Sequence, residues 1–117
     1  MKHRTLKYIW DVADSCKAIA DYAKDKALND YLADRKPRTA VERELIIIGE
    51  ALFQAEKSDP ELVNHIKDLH KIISFRHVLV HGYGEVKDEM VWAIVQKKLP
   101  DLYEESKRLL DREENSG

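Results

Sequence analysis

Cysteine is almost missing from this sequence: Cys16 stands alone in 117 residues. One thiol excludes an intrachain disulfide framework and any cysteine-based zinc site. Turn residues are scarce as well, with four glycines and three prolines. Sandwiches and barrels of many short strands need more of both. Neither sign of charge dominates, since 20 basic and 22 acidic side chains leave a formal net charge of −2. Nucleic-acid binding through a uniformly basic surface is therefore excluded, and any phosphate recognition must come from a placed site. Long apolar runs are absent too. The longest aliphatic stretch is Leu45 to Ile48, far too short to span a bilayer, and no signal-length apolar segment follows the basic start at Lys2, His3, Arg4 and Lys7. The expectation is a soluble, cytoplasmic protein with no membrane partner.

What the sequence does have is helical periodicity and charge, at 44% hydrophobic and 36% charged residues. Leu6, Ile9, Ala13, Cys16, Ala20 and Ala23 step by three and four, which predicts an amphipathic helix from about Arg4 to Lys24. On that stripe Cys16 is a core residue. The stretch from Asp25 to Arg38 reads as a connector, with a small basic cluster at Arg35, Lys36 and Arg38 that is either a solvated loop or an auxiliary phosphate contact. A second helix is predicted to open at Thr39, with Glu42 completing a capping box. Val41, Leu45, Ile48, Leu52 and Ala55 form its apolar face. Gly49 lies inside this helix at a propensity cost of about 1 kcal/mol, which close approach by another helix would offset. Asp59 and Pro60 mark the start of a third helix running to about His81, with Gly82 and Gly84 as stop signals. A strand over Phe75 to Val80 is rejected, because the three–four pattern extends over more than twenty residues. Asp88 is placed to cap a fourth helix, which Pro100 should kink or split. The expected fold is all-α, an antiparallel four-helix bundle in one domain over residues 1–117, with the acidic tail from Asp111 frayed.

Four of the five histidines (His65, His70, His77 and His81) fall in the third predicted helix. His70, Ser74, His77 and His81 step by four, three and four, drawing a polar stripe. The plain structural reading is a solvated face. A metal reading uses His77 and His81 at i, i+4, but the sequence offers no obvious third ligand, and no metal site is expected. A third reading pairs Arg76 with His81. Cleavage of RNA without a metal needs a proton carrier working near neutral pH and a cation for the charge on the phosphorane. Imidazole and guanidinium supply these. The substrate brings its own nucleophile, the ribose 2′-hydroxyl. The two positions lie about 140° apart on an ideal helix. Arg76 must swing across a helix loosened near Gly82, or two chains must share one cleft. The structural alternative for Arg76 is an ion pair with Glu50 or Glu42.

These residues carry a resemblance. Arg76, four residues, His81, one residue and Tyr83 match the R-x(4)-H-x-Y signature of the HEPN superfamily, in particular its HepT-like ribonuclease toxins. Ala40-Val41-Glu42 with Ile48-Gly49-Glu50-Ala51 resembles that family's second helix. Phe75 to Tyr83 resembles the end of its third. Val91-Trp92 and Leu99-Pro100-Asp101-Leu102 resemble its fourth. The resemblance implies a homodimeric, cofactor-free and metal-independent prokaryotic endoribonuclease acting on RNA, with tRNA as target. It makes Arg76 and His81 the catalytic pair. It makes Tyr83 the residue that a partner MNT-type nucleotidyltransferase antitoxin modifies with AMP. Glu50 is then a candidate orienter of Arg76. One departure stands out: the residue after the arginine is commonly Asn in the family and is His77 here, able to donate a hydrogen bond or to act as a second proton carrier. The competing reading is a non-catalytic helical dimer or interaction module, or a nucleotide-binding one.

Overall fold

The computed structural model describes residues 1–82, 84 and 86–116, and their side chains apart from those of 114–116. Among the described residues every regular element is helical. In chain order they are α1 (His3–Ala23), α2 (Leu28–Ala33), α3 (Arg35–Ser58), a 3-10 turn (Pro60–Asn64), α4 (Leu69–His81), α5 (Asp88–Lys97) and α6 (Leu99–Ser116). No described helix is long and apolar enough to cross a membrane.

The longest helix, α3, organises the rest. Val41, Leu45, Ile48, Leu52 and Ala55, the predicted stripe, are all buried. Helix α1 packs along one side of α3 and α4 along another, while α6 lies against α1. Flanked by two partners, α1 buries a wider arc than its sequence suggested. Val12 and Ile19 are fully enclosed beside Ile9, Ala13 and Cys16, and Ala20 is exposed.

Three expectations are corrected. The connector contains a helix, α2, whose Tyr31 is buried and stacks on Trp92 with ring centroids 4.9 Å apart. Helix α3 opens at Arg35 rather than at Thr39, because the Asp34 carboxylate accepts the Lys36 N–H at 3.2 Å and Pro37 is tolerated in the first turn. The long third helix is broken at 65–68, between the 3-10 turn and α4. There the Glu105 carboxylate of α6 takes the Lys67 N–H at 2.8 Å, and Asp68 pairs with Lys98 at 3.2 Å. These partners come from far along the chain, and local periodicity cannot report them. Among the described residues the expected four helices thus become six and a 3-10 turn. Lys98 alone separates α5 from α6, and Pro100 is the second residue of α6, where its missing N–H leaves no intrahelical bond unmade.

The basic cluster divides. Arg35 and Lys36 are exposed. Arg38 is structural: its Nη1 donates to the Leu32 carbonyl and its Nε pairs with Asp88 at 3.5 Å. That employs Asp88 across helices, and the residue preceding α5 is Lys87, with no side-chain cap. At the far end of α3, Asp59 accepts the Lys2 N–H at 2.9 Å and the Thr5 hydroxyl at 2.6 Å, fastening the start of α1.

Candidate functional site

The crossing of α3 and α4 is set by a glycine. A Cβ placed on Gly49 would lie 2.2 Å from the Arg76 Cβ and 2.9 Å from its Cγ. Only a residue without a side chain permits this approach, which accounts for a helix-breaking residue inside α3. The stem of Arg76 is therefore pressed against the α3 backbone. Its head reaches Glu50, with Nη2 3.1 Å from Oε2. The other Glu50 oxygen accepts a hydrogen bond from Gln54 Nε2 at 3.1 Å. Positions 50 and 54 are one turn apart on α3, so Gln54 braces the carboxylate that braces the arginine. The pair is part-exposed, with side-chain accessibilities of 32% for Arg76 and 46% for Glu50. A pair in that setting contributes at most about 1 kcal/mol to stability. Its value lies in position. Among the described residues the buried Arg76 Nε has no hydrogen-bond partner.

His81 sits on the last turn of α4, exposed to solvent. Its ring lies 4.6 Å from that of His77, tilted by 48°. The helix stays regular to this point: the Gly82 N–H still bonds the Val78 carbonyl at 2.8 Å. The loosening near Gly82 that would bring Arg76 and His81 together on one chain is therefore not seen. Five residues of regular helix separate them by about 7.5 Å along the axis and about 140° around it. The structure joins Arg76 to Glu50 and His77 to His81, on two faces of one helix end. Tyr83 lies outside the described residues.

The remaining candidates fall into place. Ser74, like His77 and His81, is exposed, and the exposed His70 contacts the Glu56 carboxylate of α3. Glu42, the alternative partner for Arg76, instead lies near Arg38 and Asp88, and burial together with the Asp88 charge pushes its carboxyl up. Cys16 is buried and burial pushes its thiol to about 12, which suits a core residue and no nucleophile. Among the described residues no three His, Cys, Asp or Glu side chains gather as a metal cluster. A cavity of about 330 Å³ between α1 and the α5–α6 junction is lined by Cys16, Ile19, Val95, Leu99 and Tyr103 among others, with nothing from α4. Sequence reasoning missed Gln54. The signal available was its i, i+4 spacing from Glu50.

Comparison with known proteins shows the family. A family model described as "Ribonuclease HepT-like" matches residues 12–109. A protein of Thermococcus cleftensis named "Probable ribonuclease HepT" is 32% identical over 108 residues, covering 87% of this chain and 92% of that one. A Methanocaldococcus jannaschii protein named "Putative RNase MJ0127" is 29% identical over 106 residues, covering 88% and 84%. A Caldanaerobacter subterraneus protein named "Putative RNase TTE0752" is 29% identical over 107 residues, covering 91% and 94%. No solved structure matches. With most of its length matched, from Val12 of α1 to Leu109 of α6, the chain belongs to the HepT-like ribonuclease family of the HEPN superfamily.

Proposed function

We propose that the chain is a metal-independent endoribonuclease, the toxin of a HEPN/MNT toxin–antitoxin pair of the type VII kind. It acts in the prokaryotic cytoplasm on RNA, with tRNA as the target. The observation that carries this reading is the Arg76 guanidinium, anchored by Gly49 and Glu50 at the same helix end that presents a solvent-accessible imidazole at His81.

The reaction follows from those two groups. Neutral His81 takes the proton of the substrate 2′-hydroxyl as its oxygen attacks the adjacent phosphorus. Arg76 donates to the non-bridging oxygens as charge builds on the phosphorane. The bond to the 5′-oxygen breaks, and that oxygen takes a proton from an imidazolium, His77 or His81. The products are a 2′,3′-cyclic phosphate and a 5′-hydroxyl. DNA lacks the nucleophile and is not a substrate.

A homodimer supplies the geometry that one helix does not. Two copies that set their α4 ends into one cleft bring the Arg76 of one beside the His81 of the other. Exposed apolar side chains at this end of α4 favour such a contact: Val78 is 38% exposed and Val80 39%. Trp92 takes no part, being buried against Tyr31. The whole chain acts as a single HEPN-like domain in this reading.

Control is through Tyr83. A partner nucleotidyltransferase joins the Tyr83 oxygen to the α-phosphorus of ATP, releasing pyrophosphate. The added AMP brings negative charge and bulk two residues from His81, where substrate phosphate must sit.

The test is purified, unmodified protein with total tRNA in EDTA. Cleavage is expected, with a loss of at least about 100-fold in His81→Ala and in Arg76→Ala while circular dichroism stays native. Absence of cleavage by the wild type would favour the non-catalytic interaction module, for which the same exposed apolar side chains serve as the docking face. Light scattering that finds only monomer would remove the shared cleft.

A further inference from the structure

The polar stripe of α4 holds a feature that the nuclease reading does not require. His77 and His81 stand one turn apart, both exposed, with ring centroids 4.6 Å apart. Among the described residues no carboxylate pairs with either ring, whereas His70 on the same stripe is engaged by Glu56. Two imidazoles that share one ion through Zn–N bonds of about 2.0–2.1 Å have centroids roughly 4.5–5.2 Å apart, for N–metal–N angles between square and tetrahedral. The observed separation already falls in that interval, and exposed rings are free to turn their nitrogens toward a common point.

We propose that His77 and His81 form a two-point chelate for a divalent transition metal ion of the zinc class. Neutral imidazole is the ligand such ions prefer. Binding the first ring makes the second an intramolecular ligand, because the helix holds it in place. No third protein ligand is needed. Among the described residues no cluster of three gathers, and two imidazoles leave the remaining positions of a four-coordinate ion to water or another ligand. His70 is excluded from the same ion, since seven residues of helix place it about 10 Å from His77 along the axis.

The site has a consequence for control. An ion on His81 occupies the nitrogen lone pair that would accept the 2′-hydroxyl proton, so metal binding switches cleavage off. That consequence rests on the nuclease reading; the binding itself does not.

Calorimetry with zinc chloride on the tag-free full-length protein separates the two. Wild type is expected to bind zinc, and His77→Asn and His81→Asn to bind at least about tenfold more weakly. His70→Asn should match wild type. These positions are exposed, and circular dichroism checks that each variant folds. Equal affinity in all four proteins, absence of binding to wild type, or loss in His70→Asn alone would overturn the site. In a parallel tRNA assay the ratio of rates with and without zinc is taken within each protein, so differences in basal rate cancel. Wild type should be inhibited by saturating zinc and restored by EDTA, and the ratio for His77→Asn should stay near one. Zinc-bound wild type that cleaves at its full rate would overturn the regulatory consequence. If no protein cleaves RNA, the nuclease reading fails and the calorimetry still decides the chelate.

Discussion

Gly49 and Arg76 meet so closely that a Cβ on one would lie 2.2 Å from the Cβ of the other. The contact involves the root of the arginine side chain, which cannot rotate away. Gly49→Ala must therefore push α4 off α3. Overpacking of this kind costs about 1–3 kcal/mol, and the better helix propensity of alanine returns about 1 kcal/mol. The expected result is a melting temperature lower by several degrees, with helical content retained, and a loss of RNA cleavage larger than the loss of stability explains. A thermal melt and a tRNA assay on one preparation check both.

Glu50 acts on a different part of Arg76. It holds the head of the side chain, where Gly49 admits the stem. The pair is part-exposed, so Glu50→Gln should change stability by less than about 1 kcal/mol. Cleavage should fall by roughly tenfold, well short of the Arg76→Ala loss, because the guanidinium is still present but no longer aimed. Gln54→Ala should act in the same direction and more weakly, since it supports only the second carboxylate oxygen. Equal effects of Glu50→Gln and Arg76→Ala would mean that Glu50 touches the reacting atoms itself.

Much of this was legible in the sequence, for reasons that particular residues make plain. The α3 stripe is read correctly because Val41, Leu45, Ile48, Leu52 and Ala55 recur at helical spacing, and the helices on either side of α3 enclose Gly49 and Ala51 besides. The α1 stripe is read only in part. How wide an arc a helix buries depends on how many helices cover it, and α1, with both α3 and α6 against it, encloses Val12 and Ile19 beside the predicted stripe. The break at 65–68 was not legible, because Glu105 and Lys98 hold it from across the fold. At the site, Gly49 announced a close approach but not what approached. Glu50 was one of two possible partners for Arg76, and only the packing of α4 on α3 separates it from Glu42. The register of Arg76 and His81 on one helix was legible, and the regularity of α4 through Gly82 was not.

Trp92 offers a test of the fold away from the site. It is buried against Tyr31, linking α5 to the short α2. Trp92→Ala removes a large core side chain and should cost about 3–5 kcal/mol, enough to unfold a marginal domain. Trp92→Phe keeps an aromatic partner for Tyr31 and should cost less. Urea unfolding followed by circular dichroism gives both values. A loss below about 1 kcal/mol in Trp92→Ala would mean that α2 and α5 do not hold each other.

Two carboxylates should bend the pH dependence of stability in opposite directions. Asp59 accepts the Thr5 hydroxyl and the Lys2 N–H, and these bonds hold its carboxyl below the usual carboxylate range. A folded-state value below the unfolded one means that its contribution is present above about pH 4 and is lost as pH falls through the folded value. Glu42 is the reverse. Burial first, and the Asp88 charge second, hold its carboxyl above the usual range. Its ionised form is thus less favoured in the folded chain than in the unfolded one, and it lowers stability at pH values above its folded value. Glu42→Gln should therefore raise the urea midpoint at neutral pH, with the advantage disappearing as pH drops below about 4.5. Asp59→Asn should lower the midpoint at neutral pH and show a shallower fall than wild type between pH 4 and pH 2. Midpoints measured from pH 2 to pH 8 for the three proteins separate the two signs. An Asp59→Asn curve parallel to wild type through the acid limb would show that its bonds to α1 do not couple protonation to folding.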